Sequence, residues 1–252
     1  MGVKLISEAL DLQQKDIVVL VGAGGKTTII NRLVQEMQVT GAKVAVTTTT
    51  KMFAPTDYNL LVITGASTNW RHAAVDKITR NNYVVIGKEV DPAGKITALS
   101  MREVQEIWQM NCVDIMLIEG DGAKGRAFKA PRQHEPAIPE FATIVVPVVG
   151  AECIGKPLVE EYFHAIEQIS ALTGLDYGDI VTEKIIAGIM LHPEGYKKNV
   201  PPNARWIPFI NKVENKNEER EALNLARILK KAGTEKIIVG AARCNPPVRK
   251  IC

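Results

Sequence analysis

A glycine-rich turn followed by a lysine and two threonines is the first segment of this sequence that could do chemistry. It lies between the apolar run Ile17–Val21 and a segment with the apolar spacing of a helix. Glycines allow backbone N–H groups to face an anion, and a helix N-terminus adds partial positive charge. A lysine there can neutralise outer phosphates, and a threonine hydroxyl can bind Mg²⁺. The residues expected to bind the phosphates are Gly22, Ala23, Gly24, Gly25, Lys26, Thr27 and Thr28.

Three interpretations of this turn are open. The spacing from Gly22 to Gly25 gives G-x-x-G-K-T, which is shorter than a standard Walker A loop and is similar to the ATP site of the Mur ligases. A dinucleotide fingerprint would need a glycine where Thr27 stands, and an acidic residue to hold a ribose, which the end of the second strand lacks. A purely structural turn is the third interpretation. We favour a nucleoside triphosphate, ATP or GTP, with Mg²⁺.

A pair of carboxylates ends another apolar run. Asp114–Ile118 is followed by Glu119 and, after one glycine, Asp121. A carboxylate at the end of a strand beside a phosphate loop is similar to a Walker B element, in which it binds Mg²⁺ or orients a water. Both side chains point to the same side if the strand pattern continues, so Asp121 is expected to bind the metal and Glu119 to act on a nucleophile, or the reverse. The alternative is an acidic turn that only caps a strand.

The second strand ends in a row of threonines. Residues 47–50 are all threonine, and Lys51 follows them. The carboxyl edge of a parallel sheet is where ligands bind, so the hydroxyl of Thr49 is a candidate for the metal or the terminal phosphate. Because threonine also favours strands for steric reasons, a simple strand end is the alternative.

A basic segment, residues 123–139, follows the carboxylates and is called the charged loop below. Prolines at 131, 136 and 139 disfavour a helix across it. Its cations exceed what one nucleotide needs, so they predict a second anionic ligand, unless they are only a solvated run of charge. Arg126 is flanked by Gly125 and Ala127, which leave its guanidinium room to bind two oxygens at once. The candidates for this ligand are Lys124, Arg126, Lys129, Arg132 and His134.

An Asn-Lys pair follows a later apolar run. Asn211 and Lys212 come directly after Ile207–Ile210, and Glu214 stands where many GTPases have an aspartate that binds guanine. A run of small residues, 240–242, follows the next strand in a similar way. Asn211 and Lys212 are therefore candidates for a purine contact, and Glu214 leaves the choice of base open. So short a motif also arises by chance.

Alternating strand and helix patterns set the expected fold. The predicted strands are Ile17–Val21, Lys43–Thr47, Leu60–Ile63, Tyr83–Ile86, Asp114–Ile118, Thr143–Val148, Trp206–Ile210 and Lys236–Val239. The predicted helices are Thr27–Val39, Asn69–Arg80, Met101–Met110, Leu158–Leu172, Glu183–Leu191 and Glu218–Lys231. Most of the strands are continuous apolar runs, as in strands covered on both faces. The pattern predicts a three-layer α/β fold, with a mostly parallel sheet flanked by helices, of the P-loop NTPase-like kind.

Local signals refine this prediction. Ser100 with Glu103 forms a capping box, and Asn215 can cap the last helix with Glu218 three positions on. Residues 192–205 are rich in Pro, Gly and Asn and are expected to form a long surface loop. No composition shift marks a boundary, so residues 1–252 are expected to form one domain, with room for a small inserted lobe at 150–205.

Composition excludes several classes of protein. The chain has 252 residues, 46% of them hydrophobic and 23% charged, which is ordinary for a globular protein and excludes a disordered or fibrous one. A net charge of +3 is too small to indicate nucleic acid as a partner. No apolar run could span a membrane, and the N-terminus lacks the features of a signal peptide, so a soluble, cytoplasmic protein is expected. The four cysteines have no metal or disulfide spacing, which indicates incidental thiols.

The whole set of motifs resembles one family, the YqeC-type selenium cofactor biosynthesis proteins, also described as selenium-dependent hydroxylase accessory proteins. The matching segments run from near residue 17 to near residue 242, and the charged loop is the most specific of them. They are 21–28, 47–51, 119–126, 129–131, 134–136, 155–158 and 210–212. The resemblance implies a P-loop nucleotide-binding protein that matures selenium-dependent molybdenum hydroxylases, with such a hydroxylase or a cofactor-maturation protein as partner. No residue by itself indicates selenium or molybdenum chemistry.

Two kinds of function follow. The first is a magnesium-dependent NTPase or phosphotransferase in which Lys26, Glu119, Asp121 and Arg126 are catalytic, and Thr27, Thr49 and Asp121 surround the metal. Its second ligand would be an anion such as a selenium oxyanion, selenophosphate or a phosphorylated cofactor. The second is a nucleotide-gated carrier or chaperone with little turnover. An NAD(P)-binding reductase is a third hypothesis, less favoured because the dinucleotide fingerprint is incomplete.

Overall fold

The fold is described from a computed structural model, which describes residues 5–57 and 61–252. Within these ranges the α-helices are α1 (Ile6–Ala9), α2 (Lys26–Val39), α3 (Trp70–Asn81), α4 (Met101–Gln109), α5 (Ile166–Thr173), α6 (Glu183–Leu191) and α7 (Lys216–Lys231). The first strands are β1 (Ile17–Gly22), β2 (Val44–Thr48), β3 (Met52–Phe53), β4 (Leu61–Ile63), β5 (Tyr83–Gly87), β6 (Lys95–Ile96), β7 (Ile115–Glu119) and β8 (Phe128–Lys129). The later strands are β9 (Ile144–Gly150), β10 (Lys156–Pro157), β11 (Phe163–His164), β12 (Ile180–Val181), β13 (Arg205–Trp206), β14 (Phe209–Asn211), β15 (Ile238–Gly240) and β16 (Val248–Ile251).

One large sheet organises the molecule. Its strand order is β16-β15-β14-β9-β1-β7-β2-β5-β4, with β13 also paired to β9. The pairs are parallel except β15 with β16 at one edge. Strands that precede β9 in the chain lie on one side of β1, and β9 and those after it lie on the other, so the connections change direction beside β1. In an open α/β sheet this point, at the carboxyl ends of the strands, is where ligands bind.

Strand β1 lies at the centre of the sheet and is covered on both faces. Val18 and Leu20 belong to the hydrophobic cluster that contains α1 and α2, whereas Val19 and Val21 belong to the cluster that contains α3 and α4. Successive side chains of a strand point to opposite faces, so the continuous apolar run reflects burial on two sides. The predicted three-layer α/β fold with a mostly parallel sheet is confirmed.

Most predicted elements are present with small shifts at their ends, and both caps are confirmed. The hydroxyl of Ser100 accepts from the N–H of Glu103, and the side chain of Asn215 accepts from the N–H of Glu218. The strand predicted at Leu60–Ile63 is observed as β4, and its first residue lies outside the described residues. The predicted strand Trp206–Ile210 is divided into β13 and β14, because Pro208 has no N–H to donate to a ladder.

The helix predicted at Leu158–Leu172 is half wrong. Only α5 is helical, and the residues before it form β11 and a turn in which the N–H of Phe163 donates to Val159. Ala165 has φ +59°, a left-handed conformation that separates this turn from α5. Leu158 and Phe163 are buried, so the apolar residues of this segment do pack into the core, although the backbone there is not helical.

The C-terminal half has its own hydrophobic cluster. It combines β8, β11 and helices α5–α7 with side chains of the large sheet such as Val149 and Ile210. The segment predicted as a surface loop, residues 192–205, contributes Tyr196, which is fully buried in this cluster. The prediction of one domain with an inserted lobe stays a prediction.

In residues 5–57 and 61–252, no helix has the length and apolar composition needed to cross a bilayer. All four cysteines are free thiols, and Cys153 is the buried one.

Candidate functional site

A cleft of about 670 Å³ opens at the carboxyl edge of the sheet, beside β1. The glycine turn with the start of α2, the connection from β2 into β3, and the charged loop line it. The register of the sheet explains why these segments meet, since Glu119 of β7 lies opposite both Leu20 of β1 and Thr48 of β2. The structure thus brings most of the predicted phosphate, metal and second-ligand residues to one place.

The glycine turn has a conformation that other residues would not adopt. Gly22, Gly24 and Gly25 have φ of +90°, +85° and +112°. A Cβ at Gly24 would lie 2.1 Å from the backbone nitrogen of Gly150, which shows how closely the turn passes strand β9. The glycines therefore serve both the left-handed backbone and the close packing of the turn.

The N–H groups of the turn are divided between the protein and the cleft. Gly22 donates to the Asp121 carboxylate at 2.9 Å, Ala23 donates to the carbonyl of Val148, and Gly24 donates to the carbonyl of Arg126. The first turn of a helix has N–H groups without partners inside the helix. The donors left for an anion are therefore at the junction of the turn with α2, in Gly25, Lys26, Thr27 and Thr28, rather than along the whole glycine turn.

Lys26 is the first residue of α2 and is only 4% exposed. Its ammonium donates to the carbonyl of Gly22 and lies 3.0 Å from Asp121 and 4.0 Å from Glu119. Burial alone would lower the pKa of Lys26, but the two carboxylates outweigh it and raise the pKa above its usual value. The sequence predicts a lysine open to the ligand, and the structure places its charge against carboxylates at the floor of the cleft.

Asp121 is completely buried beneath the turn. Its oxygens accept from the N–H of Gly22, and the ammonium of Lys129 lies 3.5 Å from Oδ2, whereas Lys26 pairs with Oδ1. These contacts use the carboxylate inside the protein. The structure thus gives Asp121 the position of a support for the turn and for two lysines, which differs from the direct metal contact expected from sequence.

Glu119 and Thr27 form the oxygen-rich part of the cleft floor. The hydroxyl of Thr27 donates to Oε2 of Glu119 at 2.8 Å, and both residues line the cleft. Burial raises the pKa of Glu119, although the charge of Lys26 and the hydroxyl of Thr27 oppose the shift. Hydroxyl and carboxylate oxygens are ligands that Mg²⁺ accepts, so this pair fits the metal predicted from sequence.

The threonine row is used mostly by the protein itself. The hydroxyls of Thr47 and Thr48 donate to the carbonyls of Ile86 and Glu119. Thr49, the predicted metal contact, donates to the carbonyl of Ala137 at 2.7 Å and so ties β2 to the charged loop. Thr50 is the threonine of this row that lines the cleft.

Lys129 differs from the other cations of the charged loop because it is 0% exposed. Its ammonium donates to Glu135 at 2.5 Å and to the carbonyl of Gly122 at 2.8 Å, besides its pairing with Asp121. The hydroxyl of Tyr196 donates to the carbonyl of the same lysine at 2.6 Å. Lys129 was expected to bind the second ligand, but the structure encloses its charge within an ion network.

The remaining predicted cations of the charged loop face the cleft. Lys124, Arg126, Arg132 and His134 all line it, and Lys124, Arg126 and His134 are exposed. Sequence reasoning missed three further cleft residues, Lys95, His164 and the ring of Phe53. No local signal marks them, since they belong to two-residue strands or to the segment predicted as a helix.

His164 reaches the cleft through the pairing of β11 with β8, in which it lies opposite Lys129. Burial and the positive charges of Lys129, Arg132 and Lys124 lower the pKa of His164. A neutral imidazole in a cationic cleft can accept a hydrogen bond or a proton from a bound ligand.

The Asn-Lys element lies on the other side of the turn. Asn211 donates to the carbonyl of Gly24 at 2.8 Å and accepts from the N–H of Ala242 at 2.9 Å, with its side chain buried. Both ends of its amide therefore hold the glycine turn against the small-residue loop after β15. Lys212 pairs with Glu152 and, with Glu214, lines an adjoining depression of about 350 Å³. Asn211 was predicted to contact a purine, but both ends of its amide bond to backbone groups of the protein.

A slightly larger depression, about 720 Å³, lies at the start of α7 and contains Glu152, Lys156 and Glu218. It has neither the glycine turn nor the paired carboxylates. Size alone does not locate the chemistry of this protein, and the smaller cleft at the sheet edge has the groups that could bind phosphate.

The strand, glycine turn and helix, with an acidic strand beside them, define a three-layer α/β protein whose glycine turn lies at the carboxyl edge of a mostly parallel sheet. The chain belongs to the YqeC family, because the family described as "YqeC protein" matches residues 18–167. This range contains the glycine turn, both carboxylates and the charged loop, so the resemblance stated from sequence is confirmed.

Two known proteins give the extent of the similarity. The YqeC protein of Escherichia coli (strain K12) is 29% identical over 234 residues, which are 93% of this chain and 90% of that protein. Among solved structures, chloroplast FtsY from Physcomitrella patens aligns with a TM-score of 0.46 and 12% identity. That alignment covers 95% of this chain and 63% of the FtsY chain.

Proposed function

We propose that this protein binds a nucleoside triphosphate, ATP or GTP, with Mg²⁺ and acts as an NTPase or phosphotransferase on a second, anionic ligand. One observation carries the proposal. At the start of α2 the hydroxyl of Thr27 donates to Glu119, and the ammonium of Lys26 lies 4.0 Å from the same carboxylate. A cation, two oxygen ligands and a helix N-terminus thus converge at one point of the cleft, which suits a metal-bound phosphate group.

Mg²⁺ would be held by Thr27 and Glu119, with phosphate oxygens completing its shell. Within the described ranges, no cluster of three His, Cys, Asp or Glu side chains could hold a metal by itself, which supports a metal that arrives with the nucleotide. Bound Mg²⁺ would neutralise charge on the outer phosphates. In this arrangement Asp121 is a supporting residue, and Thr49 acts through the backbone of the charged loop.

Lys26 must exchange partners when the nucleotide binds. Its ammonium lies against Asp121 and Gly22, and a triphosphate offers a larger negative charge at the start of α2. Because Asp121 also accepts from the N–H of Gly22 and lies 3.5 Å from Lys129, it keeps compensation when Lys26 moves. The buried network thus allows Lys26 to reach the phosphates without leaving a carboxylate unpaired.

The second ligand would bind on the charged loop. Lys124, Arg126, Arg132 and His134 face the same cleft as Thr27, so an anion there would lie beside the terminal phosphate. Transfer of the phosphoryl group and gated release of a carried anion both fit this placement. We place this activity in the maturation of selenium-dependent molybdenum hydroxylases, on the strength of the family resemblance, in the cytoplasm.

A thermal-shift panel tests the nucleotide proposal. ATP, GTP, their diphosphates and NAD(P) are added with and without Mg²⁺, and a ligand at 100 times its dissociation constant adds about 2.7 kcal/mol of stability. We expect a triphosphate with Mg²⁺ to give the largest shift. Lys26→Met, which keeps the side-chain volume at a buried position, should abolish it. Thr27→Val should remove most of the effect of Mg²⁺ while Lys26 stays in place.

Lys231→Met, at the exposed end of α7, is the control and should behave like the unaltered protein. A triphosphate shift that persists in Lys26→Met would contradict the phosphate site. A shift with NAD(P) in the absence of Mg²⁺ would favour the dinucleotide hypothesis. Hydrolysis that rises on addition of an anionic acceptor would separate the enzyme from the carrier.

A further inference from the structure

A small antiparallel flap covers one side of the cleft. Its strands β3 and β6 pair Met52 with Ile96 and Phe53 with Lys95. Met52 and Ile96 are buried, so the alternation of the strand turns Phe53 outward. The ring of Phe53 is 64% exposed and lines the cleft that contains Thr27 and Glu119.

A positive charge lies against this aromatic ring. The ammonium of Lys95 lies 4.6 Å from the centroid of the ring, and Lys51, the residue before Met52, also lines the cleft. Lys51 pairs with Asp91, whereas Lys95 contacts the ring face. A cation on one face of a ring polarises it toward an electron-rich planar group on the other face.

The space beside Phe53 exceeds what a small inorganic anion fills. Phe53 and Thr27 line both the cleft and a neighbouring depression of about 390 Å³. Apolar side chains of α2 and β5, including Ile30, Val34 and Tyr83, line that depression. A phosphate or selenium oxyanion has no apolar surface to pack against these side chains, whereas a flat organic ring would fill the space between Phe53 and α2.

Charge and shape together define the ligand. The cations of the charged loop, Lys124, Arg126 and Arg132, lie across the same cleft from the flap. We propose that Phe53 is the stacking surface for a planar aromatic ring of the second ligand, whose phosphate or other anionic group binds the charged loop. This rests on the second ligand of the proposed function and narrows it to an aromatic organic anion.

Calorimetric titration of three simple probes tests the inference. Inorganic phosphate, cyclohexyl phosphate and 1-naphthyl phosphate are titrated into the full chain, with and without ADP and Mg²⁺. We expect naphthyl phosphate to bind about tenfold more tightly than cyclohexyl phosphate, because aromatic stacking adds to simple apolar contact. Phe53→Ala should remove this preference and leave the affinity for inorganic phosphate unchanged. Phe53→Tyr should restore it.

Tyr177→Ala is a matched control, since Tyr177 is 65% exposed and pairs with Glu160 away from the cleft. Equal affinities for the naphthyl and cyclohexyl probes would overturn the inference. So would a loss of nucleotide affinity in Phe53→Ala without a change for naphthyl phosphate, which would make the ring a platform for the nucleobase. Because the titrations without nucleotide stand alone, the inference survives or fails separately from nucleotide binding.

Discussion

Lys124 and Lys129 belong to one loop and have opposite environments. Lys124 is exposed at the rim of the cleft, whereas Lys129 is completely buried between Asp121 and Glu135. The reason is local: Lys129 belongs to β8, whose pairing with β11 encloses it, and Lys124 lies in the open turn before that strand.

The comparison separates a lysine that stabilises the fold from cations that are placed to bind a ligand. A buried ammonium is tolerated only when carboxylates and carbonyls compensate it, and Lys129 has both kinds of partner. The network Lys26–Asp121–Lys129–Glu135 joins the glycine turn to the far end of the charged loop. The side chains of the exposed cations Lys124, Arg126 and His134 line the cleft without a hydrogen bond to the buried network, so they can contact a ligand.

Replacing Lys129 by methionine gives the largest expected effect. The volume is kept, but Glu135 loses its main cation and Asp121 keeps only Lys26, so we expect a loss of about 3–5 kcal/mol of unfolding free energy. Urea denaturation measures it from the midpoint at constant slope. Lys124→Met is the matched control and should stay within about 0.5 kcal/mol, as expected at an exposed position. Equal midpoints for the two variants would show that the buried network is not needed for shape.

The acid side of the stability curve sharpens the same comparison. Burial alone would raise the pKa of Glu135, but the hydrogen bond and charge of Lys129 and the N–H of Arg132 outweigh it and lower the pKa below 4.5. A carboxyl whose pKa is lower in the folded state stabilises the fold at pH values above its pKa in the unfolded chain. This contribution is lost as the pH falls through its pKa in the folded protein. Glu135 therefore stabilises the protein at neutral pH and progressively less below about pH 4.5.

Glu135→Gln should lower stability at pH 7 by about 1–3 kcal/mol, because the charge-assisted bond to Lys129 is lost. Its stability should also change less than that of the unaltered protein between pH 5 and pH 3. Urea midpoints at several pH values measure both effects. Glu140→Gln, at the exposed position that directly follows the charged loop, is the control and should follow the unaltered curve. Parallel curves for all three proteins would contradict the assignment.

The predictable part of the fold rests on signals that are local in the chain. The run Ile17–Val21, the glycine turn and the caps at Ser100 and Asn215 each specify their structure within a few residues, and all were predicted. The meeting of β1, β2 and β7 at one edge follows from the rule that parallel strands share their carboxyl ends. The site could be located from sequence for this reason.

The unpredicted part depends on contacts distant in the chain. The flap strands β3 and β6 have two residues each, too few to show a periodicity, and they pair across a long interval. Tyr196 lies in a segment rich in Pro and Gly, yet its ring is buried in the core and its hydroxyl donates to the carbonyl of Lys129. A run of basic residues does not indicate which of its side chains the fold buries, so the sequence could not distinguish Lys129 from Lys124.

The smallest expected effect concerns Arg126, which is exposed and supports the turn only through its carbonyl. Substitution by lysine keeps the charge and that carbonyl but removes the planar fork that can bind two oxygens of one anion. We therefore expect Arg126→Lys to weaken the binding of phosphate or selenate by roughly tenfold, since one charge-assisted hydrogen bond contributes about 1.5 kcal/mol. Nucleotide affinity and the urea midpoint should be unchanged.

Calorimetric titration of each anion measures the effect, and Arg80→Lys, on an arginine paired with Asp76 on α3, is the control. An equal loss of nucleotide affinity would place Arg126 on the triphosphate. Unchanged affinity for every anion would show that the exposed cations of the charged loop are only solvated charges. The comparison would then hold for the buried Lys129, which stabilises the fold, and not for ligand binding by the exposed cations.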